Sequence, residues 1–193
     1  TAEGGAVLTK SKKEYELLKS LRSHGVVKNS KMQKAHGPWY YEMRHLGNNY
    51  RMSDINAALG VSQLSKINKF IKKRKIISNF YNKIFSNNNK FIIPNTNKNY
   101  QHSYHLYPLL VRFDILKKNR KKIFKEFLRH NIKLQVHYIP VNFQPYYRKI
   151  QKFNKNKFKN SLFFYKSQIS LPIYYDLSLK QLMFLKKVCK KIF

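Results

Sequence analysis

The stretch Gly47–Gly60, GNNYRMSDINAALG, joins a polar loop to the start of a helix. Gly47 and the two asparagines that follow it tolerate the positive φ angles of a tight turn. Ser53 stands where a helix N-cap belongs, and its hydroxyl can accept a hydrogen bond from a free backbone amide. Apolar residues then recur at helical spacing. The pattern predicts a helix that begins just after Ser53 and holds the preceding loop in one place.

The loop before this helix carries a carboxamide, a phenol and a guanidinium on Asn49, Tyr50 and Arg51. Asn49 and Arg51 can both donate hydrogen bonds to an anion, and the planar fork of a guanidinium suits phosphate. In the alternative interpretation Asn49 only closes a turn and Arg51 pairs with a nearby carboxylate. From these residues alone the alternative is favoured.

The composition is that of a globular protein with an extreme charge. The 193 residues can bury a core in one or two domains, and 42% of them are hydrophobic. The net charge of +32, from 40 basic and 8 acidic side chains, is compatible with a nucleic-acid or anionic-membrane partner. However, Lys, Asn, Ile, Phe and Tyr are abundant together in every segment, so we interpret the charge as compositional bias. We expect no specific nucleic-acid partner.

Cysteine content and hydropathy bear on the compartment. Cys189 is the single cysteine, so no internal disulfide can form, which is compatible with a reducing cytoplasm. No apolar run approaches the roughly 20 residues that a membrane-spanning helix needs. No signal peptide is visible, and the chain begins at Thr1 without a methionine. We expect a cytoplasmic protein with further sequence upstream of Thr1.

Several segments together resemble one known family. These are TAEGG at 1–5, LRSHG at 21–25, PWYYEM at 38–43, NYRMSDINAALG at 49–60 and SLP at 170–172. They are similar to the DegT/DnrJ/EryC1/StrS sugar aminotransferases, which use pyridoxal phosphate (PLP). The resemblance implies an α/β fold that corresponds to the later part of a PLP fold-type I aminotransferase. Residues 1–63 would complete the large PLP-binding domain, and residues 64–193 would form a small α+β C-terminal domain.

The resemblance also implies an activity. Family members transfer an amino group, usually from glutamate, to a nucleotide-linked keto-sugar. The branch that looks most similar serves pseudaminic-acid biosynthesis and acts at C4 of a UDP-linked 4-keto-6-deoxy sugar. Three alternatives stay open: another nucleotide-sugar aminotransferase, a sugar dehydratase of the same family in which the PLP-binding lysine is replaced, and a non-enzymatic basic module that binds nucleic acid.

For the cofactor site, the resemblance implies that Asn49 of one subunit of a homodimer contacts the PLP phosphate of the other subunit, with Arg51 as a second contact. The family's PLP-binding lysine lies a few residues before the position of Thr1. We therefore assign no catalytic residue within these 193 residues. We expect that this chain by itself does not transaminate.

A second cluster lies in QVHYIPV at 135–141 and QPYY at 144–147. A strand predicted at 133–139 would place Gln135, His137 and Ile139 on one face. A histidine at a strand end can hydrogen-bond sugar hydroxyls or a diphosphate, although from the residues alone a core histidine paired with a backbone carbonyl is favoured. The segment resembles the family's Val-His-Tyr-x-Pro motif, which implies that His137 and Tyr138 contact the nucleotide sugar. His102 and His105 have no nearby cluster of carboxylates or cysteines, so no metal site is expected.

Periodicity and capping signals predict the remaining elements. They are a short strand at 6–8; a helix from Ser11 to Gly25 with Glu14 as its capping-box partner; an irregular loop at 26–38; helix, continuous or interrupted, from 53 to 85; strands at 91–94 and 103–113, the latter at an edge or bulge because of Pro108; a helix at 119–130 with Ile123, Phe127 and Leu128 inward; a helix at 162–165; an extended segment at 169–173; and a helix at 178–192 capped by Ser178.

Overall fold

The computed structural model of the chain describes residues 1, 3–97 and 99–193, with Lys155 described by its backbone alone. The chain divides into two compact units, Thr1–Lys66 and Ile67–Phe193. In the described part, no helix is both long enough and apolar enough to cross a membrane.

The described residues of the first unit form three helices and one small two-stranded sheet. In chain order they are α1 (Lys12–Leu21), β1 (Val26–Val27), α2 (Ser30–His36), β2 (Glu42–Met43) and α3 (Asp54–Leu64). β1 and β2 pair antiparallel. The side chains of Ser11, Asn29 and Ser53 each accept a hydrogen bond from a first-turn amide, so all three helices begin at a capped residue. The predicted starts at Ser11 and Ser53 are confirmed.

Three local predictions for this unit are wrong. Residues 6–8 form no strand, and Leu8 is 96% exposed, because no segment in the described part of the chain pairs with them. Glu14 does not complete a capping box; its carboxylate accepts a hydrogen bond from the Thr9 hydroxyl at 2.5 Å. The segment 26–38 holds β1 and α2 in place of a loop, since Asn29 caps α2 and Gly37, at φ 110°, ends it.

The second unit is built on a three-stranded antiparallel sheet with helices packed on it. Its elements are α4 (Ile67–Phe85), β3 (Phe91–Ile92), β4 (Tyr107–Val111), α5 (Phe113–Leu116), α6 (Arg120–Arg129), α7 (Pro145–Ile150), α8 (Lys159–Ser167), β5 (Gln168–Leu171) and α9 (Leu179–Ile192), with short 3-10 turns at Val141–Phe143 and Lys155–Phe158. The strand order is β3-β4-β5, and both pairings are antiparallel.

The hydrophobic core lies in this second unit. Tyr107, Leu109 and Val111 alternate along β4 and are fully buried, as strand periodicity requires. The helices add Ile77, Tyr81, Phe85, Ile123, Phe127, Leu182, Leu185 and Val188. Burial of each large apolar side chain contributes about 1.5–3 kcal/mol. By contrast, no apolar side chain of the described first unit is more than partly buried.

The long helical pattern from 53 to 85 is interrupted. α3 ends at Leu64 and α4 begins at Ile67. The predicted strand at 103–113 is shorter than expected, because Tyr104 has a positive φ of 47° and Phe113 already begins α5. Pro108 lies in the central strand and not at an edge. Since β3 pairs only with Leu110 and Val111, no strand on that side requires an N–H from Pro108.

The later elements match their predictions with two exceptions. Asn119 caps α6, and Ser178 caps α9 through a complete capping box with Gln181. Leu128, predicted inward, is 57% exposed because it lies one residue beyond the buried Ile123 and Phe127 face of α6. The predicted strand at 133–139 is reduced to one bridge between Gln135 and Ser170.

Candidate functional site

Backbone hydrogen bonds hold the loop before α3 against the end of α1. The Asn48 amide donates to the Leu21 carbonyl and the Tyr50 amide donates to the Arg22 carbonyl, each at 2.9 Å. A glycine is required here, since a Cβ at position 47 would lie 2.1 Å from the backbone nitrogen of Gly25. The conformation of the loop is therefore determined by its contacts as well as by the cap at Ser53.

The two predicted phosphate contacts in this loop are exposed. Asn49 forms a backbone bridge with Ser23, and its carboxamide makes no hydrogen bond to the described residues. Arg51 makes neither a hydrogen bond nor an ion pair within that same set, in which the ion pairs are Arg44–Glu42 and Lys118–Glu126. The alternative in which Arg51 pairs with a carboxylate is therefore not observed there. Both side chains keep N–H groups that can donate hydrogen bonds to an external anion.

The same loop borders a broad groove of about 1310 Å³ in the first unit. Residues 3–9, one face of α1 and the loop residues Asn48, Tyr50 and Arg51 line it. Asn49 is not among the lining residues. The lining includes the guanidinium of Arg51 and the carboxamide of Asn48, which can donate hydrogen bonds to a phosphate group, and also the carboxylate of Glu3.

In the second unit, His137 is held by two buried polar side chains of β5. Its backbone amide donates to Gln168 Oε1 at 2.9 Å, and its Nδ1 lies 2.8 Å from Ser170 Oγ. Gln168 Nε2 in turn donates to Ser170 Oγ at 2.6 Å. Gln168 is fully buried, whereas His137 is only partly buried. The ring partner is thus a hydroxyl and not the backbone carbonyl of the alternative interpretation.

Tyr138, the second predicted substrate contact, is 71% exposed. Its ring meets the His137 ring edge to face, with the centroids 4.7 Å apart. Tyr138 also lines a cleft of about 330 Å³ together with Arg120, Val136, Ile139, Gln144 and Tyr165.

Arg120 gives this cleft a positive charge. It donates a hydrogen bond to the Tyr165 carbonyl, and its guanidinium lies over the Tyr165 ring, 4.9 Å from the centroid. It is partly buried and has no carboxylate partner among the described residues. Gln144 belongs to the second predicted cluster, whereas Arg120 and Tyr165 were not predicted as site residues from the sequence. An arginine in the first turn of a capped helix was visible, but nothing local to it indicates the approach of Tyr165.

The structure thus describes one predicted pair of site residues in each unit, Asn49 with Arg51 and His137 with Tyr138. The described residues contain no group of three His, Cys, Asp or Glu side chains that could hold a metal ion. His102, which the sequence left without a role, accepts a hydrogen bond from the Tyr104 amide on its Nδ1 at 2.9 Å.

The sequence and fold of the chain are similar to those of known proteins. The family model described as DegT/DnrJ/EryC1/StrS aminotransferase family matches residues 1–193. An uncharacterized protein of Methanocaldococcus jannaschii is 41% identical over 175 residues, which are 90% of this chain and 45% of that protein. The UDP-4-amino-4,6-dideoxy-N-acetyl-beta-L-altrosamine transaminase of Campylobacter jejuni is 36% identical over 186 residues, 96% of this chain and 47% of that protein.

A solved structure shows the same fold. Helicobacter pylori PseC, described as an aminotransferase involved in the biosynthesis of pseudoaminic acid, superposes with a TM-score of 0.81 at 29% identity and covers 96% of this chain and 47% of its own. The predicted fold, the later part of an α/β aminotransferase, is confirmed. The chain spans about half the length of the curated relatives that it matches. With its whole length matched by the family model, the chain belongs to the DegT/DnrJ/EryC1/StrS aminotransferase family, whose members are sugar aminotransferases.

Proposed function

We propose that the protein transfers an amino group from glutamate to a UDP-linked 4-keto-6-deoxy amino sugar, in a PLP-dependent reaction that supplies a surface-glycan precursor of the pseudaminic-acid type. The observation that carries this proposal is the 36% identity with the Campylobacter jejuni transaminase over 96% of the chain. The likeness to Helicobacter pylori PseC supports the same branch of the family.

In this proposal residues 1–63 complete the large PLP-binding domain and residues 64–193 form the small C-terminal domain. The division of the chain into units at Lys66 supports it. The exposed apolar side chains of α3 support it as well, because Ile55, Val61 and Leu64 are each at least 68% exposed and need a covering surface. We propose that other parts of a homodimer supply that surface.

Asn49 and Arg51 would hold the PLP phosphate of the partner subunit. Their exposed donors, free of hydrogen bonds and ion pairs within the described structure, support this role. When bound, PLP supplies the electron sink for the reaction. The two side chains would contribute binding and orientation through charge-assisted hydrogen bonds.

His137 and Tyr138 would contact the nucleotide sugar, and Arg120 would bind an anionic part of it. The position of Arg120 in the same cleft as Tyr138, with no carboxylate partner among the described residues, supports this arrangement. We propose the cytoplasm as the compartment, because the one cysteine, Cys189, is a free buried thiol, which is compatible with a reducing environment.

The test is a reaction of the full-length, PLP-loaded protein with glutamate and a UDP-linked 4-keto-6-deoxy amino sugar, followed by mass spectrometry of the sugar. We expect a product in which an amino group replaces the keto oxygen. Parallel reactions with dTDP- and GDP-linked keto-sugars distinguish the other aminotransferase branches. A product that has lost water without gaining nitrogen would show a dehydratase, and no reaction with any keto-sugar would contradict the proposal.

A further inference from the structure

The geometry around His137 determines which atom donates and which accepts in each of its hydrogen bonds. The backbone amide of His137 can only donate, and it points at the side-chain amide of Gln168 at 2.9 Å. The atom that receives this bond must therefore be Oε1 of Gln168. The other end of the same amide, Nε2, is then a donor, and it lies 2.6 Å from Ser170 Oγ.

With the Gln168 amide in this orientation, only one arrangement of donors and acceptors satisfies the Ser170 hydroxyl. Its oxygen accepts from Gln168, and its single proton is free to be donated to His137 Nδ1 at 2.8 Å. If Nδ1 carried the proton instead, Ser170 would accept twice. Its own proton would then have no partner among the described residues. Because Ser170 is only 5% exposed, a donor without a partner would be costly there.

We propose that Gln168 and Ser170 are positioning residues that hold His137 as the neutral tautomer with its proton on Nε2. In this state His137 presents a hydrogen-bond donor outward, because Nδ1 is occupied and Nε2 has no hydrogen-bond partner within the described structure. Resting on the proposed substrate role of His137, the inference deepens it: His137 donates to an oxygen of the nucleotide sugar and does not accept its proton.

The tautomer can be measured without any substrate. Long-range ¹H–¹⁵N correlation spectra of the full-length protein at about pH 8, above the ordinary titration range of imidazole, distinguish Nε2–H from Nδ1–H. The His137→Gln variant identifies the signals. We expect His137 to be protonated on Nε2. A ring protonated on Nδ1 in the wild type would overturn the inference.

The chain of hydrogen bonds from Gln168 through Ser170 to His137, here called the relay, also predicts which substitutions change the tautomer. In Gln168→Glu both side-chain oxygens accept hydrogen bonds, so the Ser170 hydroxyl donates its proton to the carboxylate. The Ser170 oxygen then accepts from His137 Nδ1, and the tautomer changes to the one protonated on Nδ1. Ser170→Ala removes the partner and gives a mixture, while Ser170→Thr keeps the hydroxyl and the wild-type tautomer. Ser167→Ala is the matched control, since Ser167 is a buried serine nearby, at 8% exposure, and lies outside this network. An unchanged tautomer in both Ser170→Ala and Gln168→Glu would refute the relay.

A binding measurement separates the relay from the proposed function. Because a mixture leaves about half of the molecules with the proton on Nε2, the affinity of Ser170→Ala for the UDP-sugar should fall by at most about twofold, with Ser170→Thr near wild type. Thermal unfolding of each variant shows whether the fold is retained. If the tautomer is as expected but His137→Ala, which leaves no side-chain donor at this position, binds the UDP-sugar normally, the substrate role of His137 fails while the relay stands.

Discussion

The hydroxyl of Tyr81, on α4, donates a hydrogen bond of 2.5 Å to the backbone carbonyl of Pro172, just after β5. The two residues are 91 positions apart, and Tyr81 is fully buried. Burial raises the pKa of this phenol well above its ordinary value of 10.0, and the nearby Cys189 adds to the shift. The neutral phenol therefore serves as a permanent donor that ties α4 to the segment after β5.

Replacing Tyr81 with Phe should destabilise the protein by about 1–3 kcal/mol, because it leaves the partly buried Pro172 carbonyl without its donor. Urea denaturation followed by circular dichroism measures the change. Tyr100→Phe is the matched control, since Tyr100 is 75% exposed and should lose almost nothing. Equal stability of Tyr81→Phe and wild type would mean that water replaces the phenol at that carbonyl.

Cys189 should make part of the stability dependent on alkaline pH. Burial raises the pKa of its thiol from 9.0 to about 12. Between those values the unfolded chain releases a proton that the folded chain keeps, so the contribution of the thiol is complete below about pH 9 and is lost as pH rises toward about 12.

A comparison of wild type with Cys189→Ala in urea at several pH values tests this prediction. Any advantage of the wild type should shrink from about pH 9 upward. The difference between the two proteins removes the effect of lysine deprotonation, which both share. A constant difference across this range would show that the thiolate is tolerated in the folded state.

In the proposed cofactor site, Asn49→Ala should lower the affinity for PLP by about one to two powers of ten. It removes one donor to a charged group, worth roughly 1.5–3 kcal/mol. A PLP titration of the full-length protein measures the effect, with dimer content followed by light scattering. Asn68→Ala removes an exposed carboxamide on α4, outside the groove lining, and should bind PLP normally. Unchanged affinity in a dimeric Asn49→Ala variant would show that Asn49 only shapes the turn.

Arg120→Gln should weaken binding of UDP by about tenfold or more, if its guanidinium binds the diphosphate through a charge-assisted hydrogen bond. Lys121→Gln removes the same charge from the next, exposed position and should change the affinity little. Isothermal titration calorimetry at two salt concentrations measures both variants. Equal losses in the two would show that the net charge of the chain, and not Arg120, attracts the nucleotide.

Because of its net charge of +32, the protein should bind DNA, but without sequence preference. Such binding comes from neutralised phosphates, so its affinity should fall steeply as salt is raised. Fluorescence anisotropy with several duplexes of unrelated sequence measures this dependence. Tight binding of one duplex at elevated salt would instead support a nucleic-acid-binding function.

Helix starts and family membership could be predicted from the sequence because both depend on residues close together in the chain. Ser11, Ser53, Asn119 and Ser178 each cap a helix through an amide three residues ahead, and a contact this short survives in almost any tertiary setting. The same is true of Asn49 and Arg51, whose place in one exposed loop follows from the cap at Ser53 and the glycine at 47.

The surroundings of the candidate substrate residues were decided by the tertiary structure alone. The Gln168 and Ser170 side chains reach His137 across more than 30 residues, and the Tyr165 carbonyl reaches Arg120 across 45. The strand predicted at 133–139 became one bridge, because among the described residues β5 pairs with its backbone only at Ser170. Local sequence determined which side chains lie in the loops of this protein. The tautomer proposed for His137 depends on Gln168 and Ser170, which only the folded sheet brings next to it.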